Sequence, residues 1–349
     1  MKLSIIGAGV SGLAAARHLH HIAPHIALEC LEKSRGLGGR CATRRKESVV
    51  FDHGAQFFRG ADDQQLAFFQ QQLPAHDLVD IDAPVWVHNA QGTCQPGDPS
   101  QNAMAKFTYA DGMNTLGKRL KPDTLTMRLE TRLHHVVYAA GGYTLYDEHN
   151  QLLGHADALL LTPPGPQTVD IITASQLPDA LKQRIQDAYA PVVYRPCISL
   201  TVTVAGRITA PFYATVNSDR QHPISWLAFE HHKHPTRVPA DQTAITVQLA
   251  PQASRDYWDT PLPQLMEHML PLIAQLIKHP LDTPLWGDRQ GWRYALPDGQ
   301  ADLSALQSFE QSHHVYFSGD ALVGIGRVHL AILNGIQVAD RIAAHLTHK

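Results

Sequence analysis

Leu3-Ser4-Ile5-Ile6-Gly7-Ala8-Gly9-Val10-Ser11-Gly12 opens the chain, and Glu32 stands twenty residues beyond the last of these glycines. Residues 3–6 read as a short buried strand. Residues 10–21 read as a helix, with Ala14, Ala15 and Ala16 small enough to lie close to a sheet. Between them Gly7, Gly9 and Gly12 make a G-x-G-x-x-G turn. One glycine forms the tight turn, one lets the backbone approach a pyrophosphate, and one lets helix and strand pack closely. The helix N-terminus adds free N–H groups and partial positive charge for a diphosphate. Residues 26–31 read as a second strand ending at Glu32. A carboxylate there accepts from ribose hydroxyls and repels a 2′-phosphate. Strand, helix and acid agree on a dinucleotide-binding unit, against an ordinary strand–turn–helix whose glycines only serve packing. Lys2, the apolar run and Ala14–Ala16 also mimic a secretory signal, but cleavage there would remove the phosphate loop.

The next stretch, Lys33-Ser34-Arg35-Gly36-Leu37-Gly38-Gly39-Arg40, does not continue as a simple repeat of strand and helix. Its glycines allow close backbone approach, and Arg35 and Arg40 can pair with phosphate oxygens. Directly behind a dinucleotide motif, it is expected to wrap the same ligand. A short strand at 49–51 leads into Asp52-His53-Gly54-Ala55-Gln56-Phe57-Phe58. Gly54 and Ala55 are small, Gln56 and the phenylalanines can face a flat ring, and one of the two phenylalanines is expected in the core.

The totals bound the rest. A chain of 349 residues suggests about two domains, and 44% apolar with 17% charged residues is ordinary for a globular protein. A formal charge of −3 makes no electrostatic case for nucleic acid or an anionic membrane. No apolar run is long enough to span a membrane. Cys30, Cys41, Cys94 and Cys197 are scattered, which fits reduced thiols in the cytoplasm. The 22 histidines fall in pairs such as 20–21, 134–135, 231–232 and 313–314, without a ligand spacing. They read as solvated imidazoles, so no metal is expected.

Further along, 63–72 reads as a polar helix and 80–97 as weak strands. A helix is expected before Pro122, and strands at 126–133, 136–139 and 143–146 with a hairpin at Gly141-Gly142. Residues 156–161 look like the last parallel strand before Thr162-Pro163-Pro164. From 166 to about 284 the character changes. Runs at 198–204, 224–229 and 244–249 are typical of an antiparallel sheet with one covered face, and 262–278 reads as an amphipathic helix. Residues 314–317 then form a strand ending in Gly319-Asp320, followed by a glycine-rich turn at 324–328 and a final helix. The chain thus begins and ends with a strand–glycine–helix unit, which implies one nucleotide domain split by an insertion. The nucleotide domain is expected over 1–60, 100–165 and 295–349, and the substrate domain over 61–99 and 166–294.

The opening fingerprint with Glu32, the Gly38-Gly39-Arg40 element and the terminal Gly319-Asp320 resemble the FAD-dependent amine-oxidase superfamily. Asp52-His53-Gly54-Ala55-Gln56-Phe57, Ile224-Ser225-Trp226 running to Lys233, and Trp292-Arg293-Tyr294-Ala295 look more narrowly like renalase and its bacterial relatives. The resemblance implies an α/β fold of p-hydroxybenzoate-hydroxylase-like architecture: a Rossmann-type FAD-binding domain with an inserted α+β substrate domain. By motif, Gly7, Gly9, Ser11 and Gly12 would lie at the pyrophosphate and Glu32 at the adenosine ribose. Lys33, Gly39 and Arg40 would line the cofactor, with Arg40 reaching the phosphate or its nearby backbone. Ala55 and Gln56 would pass the flavin ring, and the stretch from Leu133 to Val136 would hold the adenine through its backbone. Gly319 and Asp320 would meet the ribityl–phosphate region, and Val328 would present its N–H to the flavin pyrimidine.

The FAD is expected to be noncovalent, because no cysteine stands beside the terminal glycine turn. Hydride transfer to flavin N5 needs no protein nucleophile, so no catalytic side chain is assigned. Phe57, Trp226, Trp292 and Tyr294 are candidates for an aromatic wall, and Arg293 for an anionic part of the substrate. Lys233, in a polar His-rich loop, is expected on the surface, which weakens an amine-oxidase reading. The resemblance then implies an oxidase that returns 2- and 6-dihydro isomers of NAD(P)H to NAD(P)+, with O2 as acceptor and hydrogen peroxide as product. An amine oxidase and a non-redox flavoprotein are the competing readings. Oligomeric state is left open.

Overall fold

The apolar run 3–6 becomes the central strand of a parallel sheet. In the computed structural model, which describes all residues except 61, 63, 64, 66, 70–72, 74, 75, 282 and 347–349, Lys2–Ile6 lies between Ala27–Leu31 and Ala158–Leu161. Thr126–Arg128 and Val315–Phe317 complete the two edges, and every pairing is parallel. Leu3, Ile5, Cys30 and Leu160 are fully buried. Burial on both faces is why these strands read as continuous apolar runs and not as alternating ones.

Helices Val10–Ile22 and Val328–Leu346 pack against each other. A Cβ placed on Gly335 would sit 2.2 Å from the Ser11 carbonyl oxygen, so only glycine permits this approach. The first helix runs on through His20 and His21 and stops at Ile22, short of Pro24. The expected strand at 126–133 is confined to Thr126–Arg128. A three-stranded antiparallel sheet follows, from His135–Ala139, Gly142–Tyr146 and Leu152–Ala156.

The chain forms two compact units. The first comprises Met1–Cys41, Asn114–Tyr194 and Leu296–Lys349, and the second Ala42–Met113 and Arg195–Ala295. These bounds differ from the expected domains. Residues 166–194 join the first unit because helices Gly165–Ala174 and Asp179–Tyr189 place Ile171, Ile172, Leu181 and Ile185 in the core that covers Leu159, Leu161 and Phe317. Residues 42–60 and 100–113, with Ala295, join the second. There Thr43–Lys46 pairs with Val49–Asp52, and Val49 and Phe51 pack with Val238, Ala244 and Trp286.

The second unit is built on a seven-stranded sheet in the order Trp286–Asp298, Val193–Ala205, Gln242–Leu249, Ile224–Phe229, Ala214–Asn217, Val85–His88, Cys94–Pro96. The first two strands run across the boundary between the units. One pairing in this sheet, Ala214–Asn217 with Val85–His88, is parallel, so the sheet is mixed. Helix Leu262–Ile277 covers one face through Leu265, Met269, Ile273 and Leu276. Most of the helix expected over 63–72 lies outside the described residues.

Several histidines are not solvated: His53, His88, His222 and His314 are buried. Among the described residues no group of three or more His, Cys, Asp or Glu side chains could hold a metal ion. Also among them, no helix is long and apolar enough to cross a membrane.

Candidate functional site

In the first unit the glycine turn is held by its own backbone. Gly7, at φ +101°, donates to the Leu31 carbonyl at 2.8 Å, and Gly38 donates to the Ala8 carbonyl at 2.8 Å. A Cβ on Gly12 would lie 2.6 Å from the Gly7 oxygen, while one on Gly9 would meet nothing within 4 Å. Gly12 therefore serves close packing, and Gly9 leaves room for a ligand. No side chain caps the helix that starts at Val10. Its first-turn N–H groups, at Val10, buried Ser11 and Gly12, stay available to an anion. An open loop over uncapped donors fits a diphosphate. Gly39, at φ +58°, lies against this loop, its Cβ direction 3.2 Å from the Gly9 Cα.

Glu32 is buried at the end of its strand. One carboxylate oxygen accepts from the Ala8 N–H at 2.7 Å, and the other from the Ser34 N–H at 2.8 Å and from the Ser34 hydroxyl. The acid thus ties the glycine turn to the stretch behind it. Lys33 donates to Gln167 Oε1 at 3.1 Å.

Arg40 meets Asp320 with both terminal nitrogens, Nη1 at 2.6 Å and Nη2 at 2.8 Å. Asp320 is only 5% exposed and also accepts from the Tyr194 hydroxyl at 2.9 Å. Gly319 donates to Asn334 Oδ1 at 2.9 Å, as does the Ser318 hydroxyl. Asn334 and Tyr194 were not singled out in the sequence. Asn334 sits inside an otherwise regular helical pattern, and nothing local marks Tyr194. Val328 opens the last helix, so its N–H is one of the donors that a helix leaves unpaired.

Of the two residues expected to frame the adenine, Leu133 has a backbone N–H and C=O with no partner among the described residues. Val136 lacks that freedom. Its N–H donates to Ser175 Oγ at 2.9 Å, and its carbonyl accepts from Gln176 at 2.8 Å.

In the second unit Ala55 is half-buried and Gln56 buried. Gln56 Nε2 donates to the Asp52 carbonyl at 2.6 Å and the Gly54 carbonyl at 3.1 Å. Its Oε1 accepts from Lys233 Nζ at 3.0 Å. Lys233 is not on the surface: it is 1% exposed. Its ammonium also donates to Asp52 Oδ2 at 3.0 Å and Glu230 Oε1 at 2.9 Å. Arg237 Nη1 completes a quartet, reaching Asp52 at 2.6 Å and Glu230 at 2.8 Å. Two cations and two carboxylates cancel, which is how four charges tolerate full burial. Burial raises the Asp52 carboxyl, but Arg237 and Lys233 outweigh it and hold the group well below the usual carboxylate range.

The substrate candidates of this unit form separate pairs. Phe57 packs on Trp226 with ring centroids 5.9 Å apart, while Phe58 is the one in the core. Trp292 stacks on His53 at 5.4 Å and 12°, and its indole N–H donates to the His53 carbonyl at 2.6 Å. Burial, with Arg44 nearby, lowers His53 to about 4, so the stacked imidazole is neutral at physiological pH. Arg293 is exposed, its guanidinium 5.7 Å from the Trp258 ring centre, and Tyr294 is half-buried.

Comparison with known proteins agrees with this arrangement. Residues 5–72 match the NAD(P)-binding Rossmann-like domain, and residues 102–343 match the flavin-containing amine oxidoreductases. The chain belongs to the flavin-containing amine oxidoreductase family. It is an FAD-dependent oxidoreductase with a Rossmann-type cofactor fold. A curated relative from Drosophila melanogaster, described as a possible lysine-specific histone demethylase 1, is 33% identical over 95 residues. That match spans 27% of this chain and 10% of the relative. Among solved structures, a provisionally assigned protoporphyrinogen oxidase from Exiguobacterium sp. 255-15 has a TM-score of 0.78 at 16% identity, covering 99% of each chain. Putrescine oxidase bound to putrescine has 0.71 at 12% identity, covering 100% of each. A fatty acid isomerase from P. acnes has 0.71 at 12% identity, covering 97% of this chain and 98% of its own. At such identities the likeness concerns the fold alone.

In this flavin-containing oxidoreductase the buried quartet was the main feature missed. Glu230 and Lys233 stand at i, i+3 spacing, and Asp52 opens the Gly54-Ala55-Gln56 motif. No local pattern joins 52 to 233 and 237.

Proposed function

We propose that this oxidoreductase is a renalase-like oxidase that takes 2- and 6-dihydro isomers of NAD(P)H and returns NAD(P)+, passing the electrons to O2. Bound FAD supplies the two-electron acceptor. The open Gly9 loop and the uncapped helix at Val10 take its diphosphate, Glu32 its adenosine ribose, and Leu133 its adenine. Arg40, through Asp320, secures the terminal glycine turn, and Ala55 and Gln56 run past the flavin ring. Phe57 with Trp226, and Trp292 with His53, offer flat apolar faces to a nicotinamide ring and exclude water from it. The FAD is held without a covalent bond.

The observation that carries this reading is the engagement of Lys233. All three of its N–H donors are spent on Asp52, Glu230 and Gln56. Of the other lysines of this unit, Lys46 donates to the Gly287 carbonyl, Lys106 to the Asn102 carbonyl, and Lys278 lies exposed at a helix end. Among the described lysines of this unit, exposed Lys278 alone is left without a hydrogen-bond partner, and none that is buried is free to hold water for amine oxidation. An amine substrate is the second reading, favoured by the family match over 102–343.

Anaerobic mixing decides between them. The oxidised flavin band near about 450 nm is followed after addition of 2-dihydro-NADH, 6-dihydro-NADH, ordinary NADH, or small amines including putrescine. Rapid bleaching by an isomer alone, reversed by air with release of peroxide, is the expected result. Bleaching by an amine alone would move the protein to the second reading, and bleaching by none would sink both.

A further inference from the structure

Gly54, Ala55, Gln56 and Phe57 carry four successive backbone N–H groups, none with an acceptor among the described residues. Gly54 and Gln56 are buried and Ala55 and Phe57 half-buried. Buried N–H groups are almost always paired, so such a run points to a ligand rich in acceptors. The carbonyls of Gly54 and Gln56, and the Gln56 side chain, are bonded. Gln248 Nε2 donates to the Gly54 carbonyl at 2.7 Å, and the Tyr213 hydroxyl donates to the Gln56 carbonyl at 3.4 Å. The Gln56 side chain folds back onto the carbonyls of Asp52 and Gly54. Lys233 holds that side chain by its oxygen and is itself fixed by Asp52 and Glu230.

We propose that Lys233 is a positioning residue for the flavin: with Asp52 and Glu230 it locks the Gln56 amide, which holds the 54–57 backbone so that its free N–H groups meet the acceptor edge of the isoalloxazine. This rests on the reading that Ala55 and Gln56 pass the flavin ring, and it does not depend on which substrate delivers electrons. Lys233 itself touches neither ring nor substrate. Fixed donors aimed at a ring that gains negative charge on reduction favour the reduced form. Loosening them lowers the reduction potential without removing the diphosphate loop, which lies in the other unit.

The test uses the full chain loaded with FAD and no substrate. Gln56→Met removes the amide and leaves all four buried charges in place. A second variant, Lys233→Met with Asp52→Asn, removes one charge of each sign, so the cluster stays neutral. FAD content, the position of the oxidised flavin band and the two-electron potential against a reference dye are measured, with melting of the apo-protein as a control. Both variants are expected to bind FAD, displace the band, and shift the oxidised-to-reduced equilibrium about tenfold toward oxidised, about 30 mV for two electrons. If the charge-neutral variant fails to fold, Gln56→Met decides alone. A wild-type band and potential in Gln56→Met, or in a folded charge-neutral variant, would overturn the proposal. Flavin that no dihydronicotinamide isomer bleaches would end the substrate reading and leave this result standing.

Discussion

Arg40 grips Asp320 with two parallel hydrogen bonds, at 2.6 and 2.8 Å, across 280 residues of chain. The pair joins the loop behind the opening nucleotide motif to the glycine turn before the last helix. Its two ends differ in burial: the Arg40 side chain is 32% exposed and that of Asp320 6%.

That asymmetry predicts an order of damage. Arg40→Ala strands a buried carboxylate, whereas Asp320→Asn leaves a guanidinium that water can reach. Arg40→Ala is expected to cost the apo-protein about 3 kcal/mol, and Asp320→Asn about 1 kcal/mol. Urea unfolding of both variants checks this. The reverse order would mean that Asp320 is neutralised by something other than Arg40.

Two glycines that look alike in sequence part company. Gly335→Ala drives a methyl toward the Ser11 carbonyl oxygen at 2.2 Å, and is expected to destabilise by about 1–3 kcal/mol. Gly9 has φ −71° and ψ 169°, open to any residue, and a Cβ there meets nothing. Gly9→Val should leave apo-protein stability within about 0.5 kcal/mol and cut FAD affinity at least tenfold. Thermal melts and a fluorescence titration with FAD distinguish the two. Tight FAD binding by Gly9→Val would remove this loop from the cofactor site.

His53 sets a pH dependence. Its folded value, lowered to about 4 chiefly by burial, lies below the unfolded value of about 6.5. Between those values the unfolded chain binds more protons, so stability rises with pH through that window. The contribution is whole above about pH 6.5, is lost as the pH falls to 4, and amounts to at most about 3 kcal/mol. His53→Phe keeps the stack on Trp292 and should flatten the stability profile over this range. An unchanged slope would show that His53 is accessible to protons in the folded state.

What the residues announce by themselves is the nucleotide frame. The apolar runs at 3–6 and 26–31, the glycine spacing, Glu32 and the terminal Gly319-Asp320 are local patterns, because turns and helix starts are decided by near neighbours. Those elements lie where their sequence puts them. The helices at Gly165–Ala174 and Asp179–Tyr189 went unread because their apolar faces look the same whichever unit they cover. Only folding brought 166–194 onto the parallel sheet.

Lys233 shows the limit most sharply. A lysine among histidines reads as solvent-facing, since an isolated charge is rarely buried. It is buried because the carboxylates of Asp52, 181 residues earlier, and Glu230, one helical turn before it, accept its hydrogen bonds, and Arg237 as the second cation leaves the cluster neutral. Pairing between charges so far apart leaves no periodicity and no spacing in the sequence. The same holds for Arg40 and Asp320. The sequence determined which segments make the nucleotide loop, and the tertiary structure decided which charges are neutralised, because burial of an ion depends on partners that only the closed fold supplies.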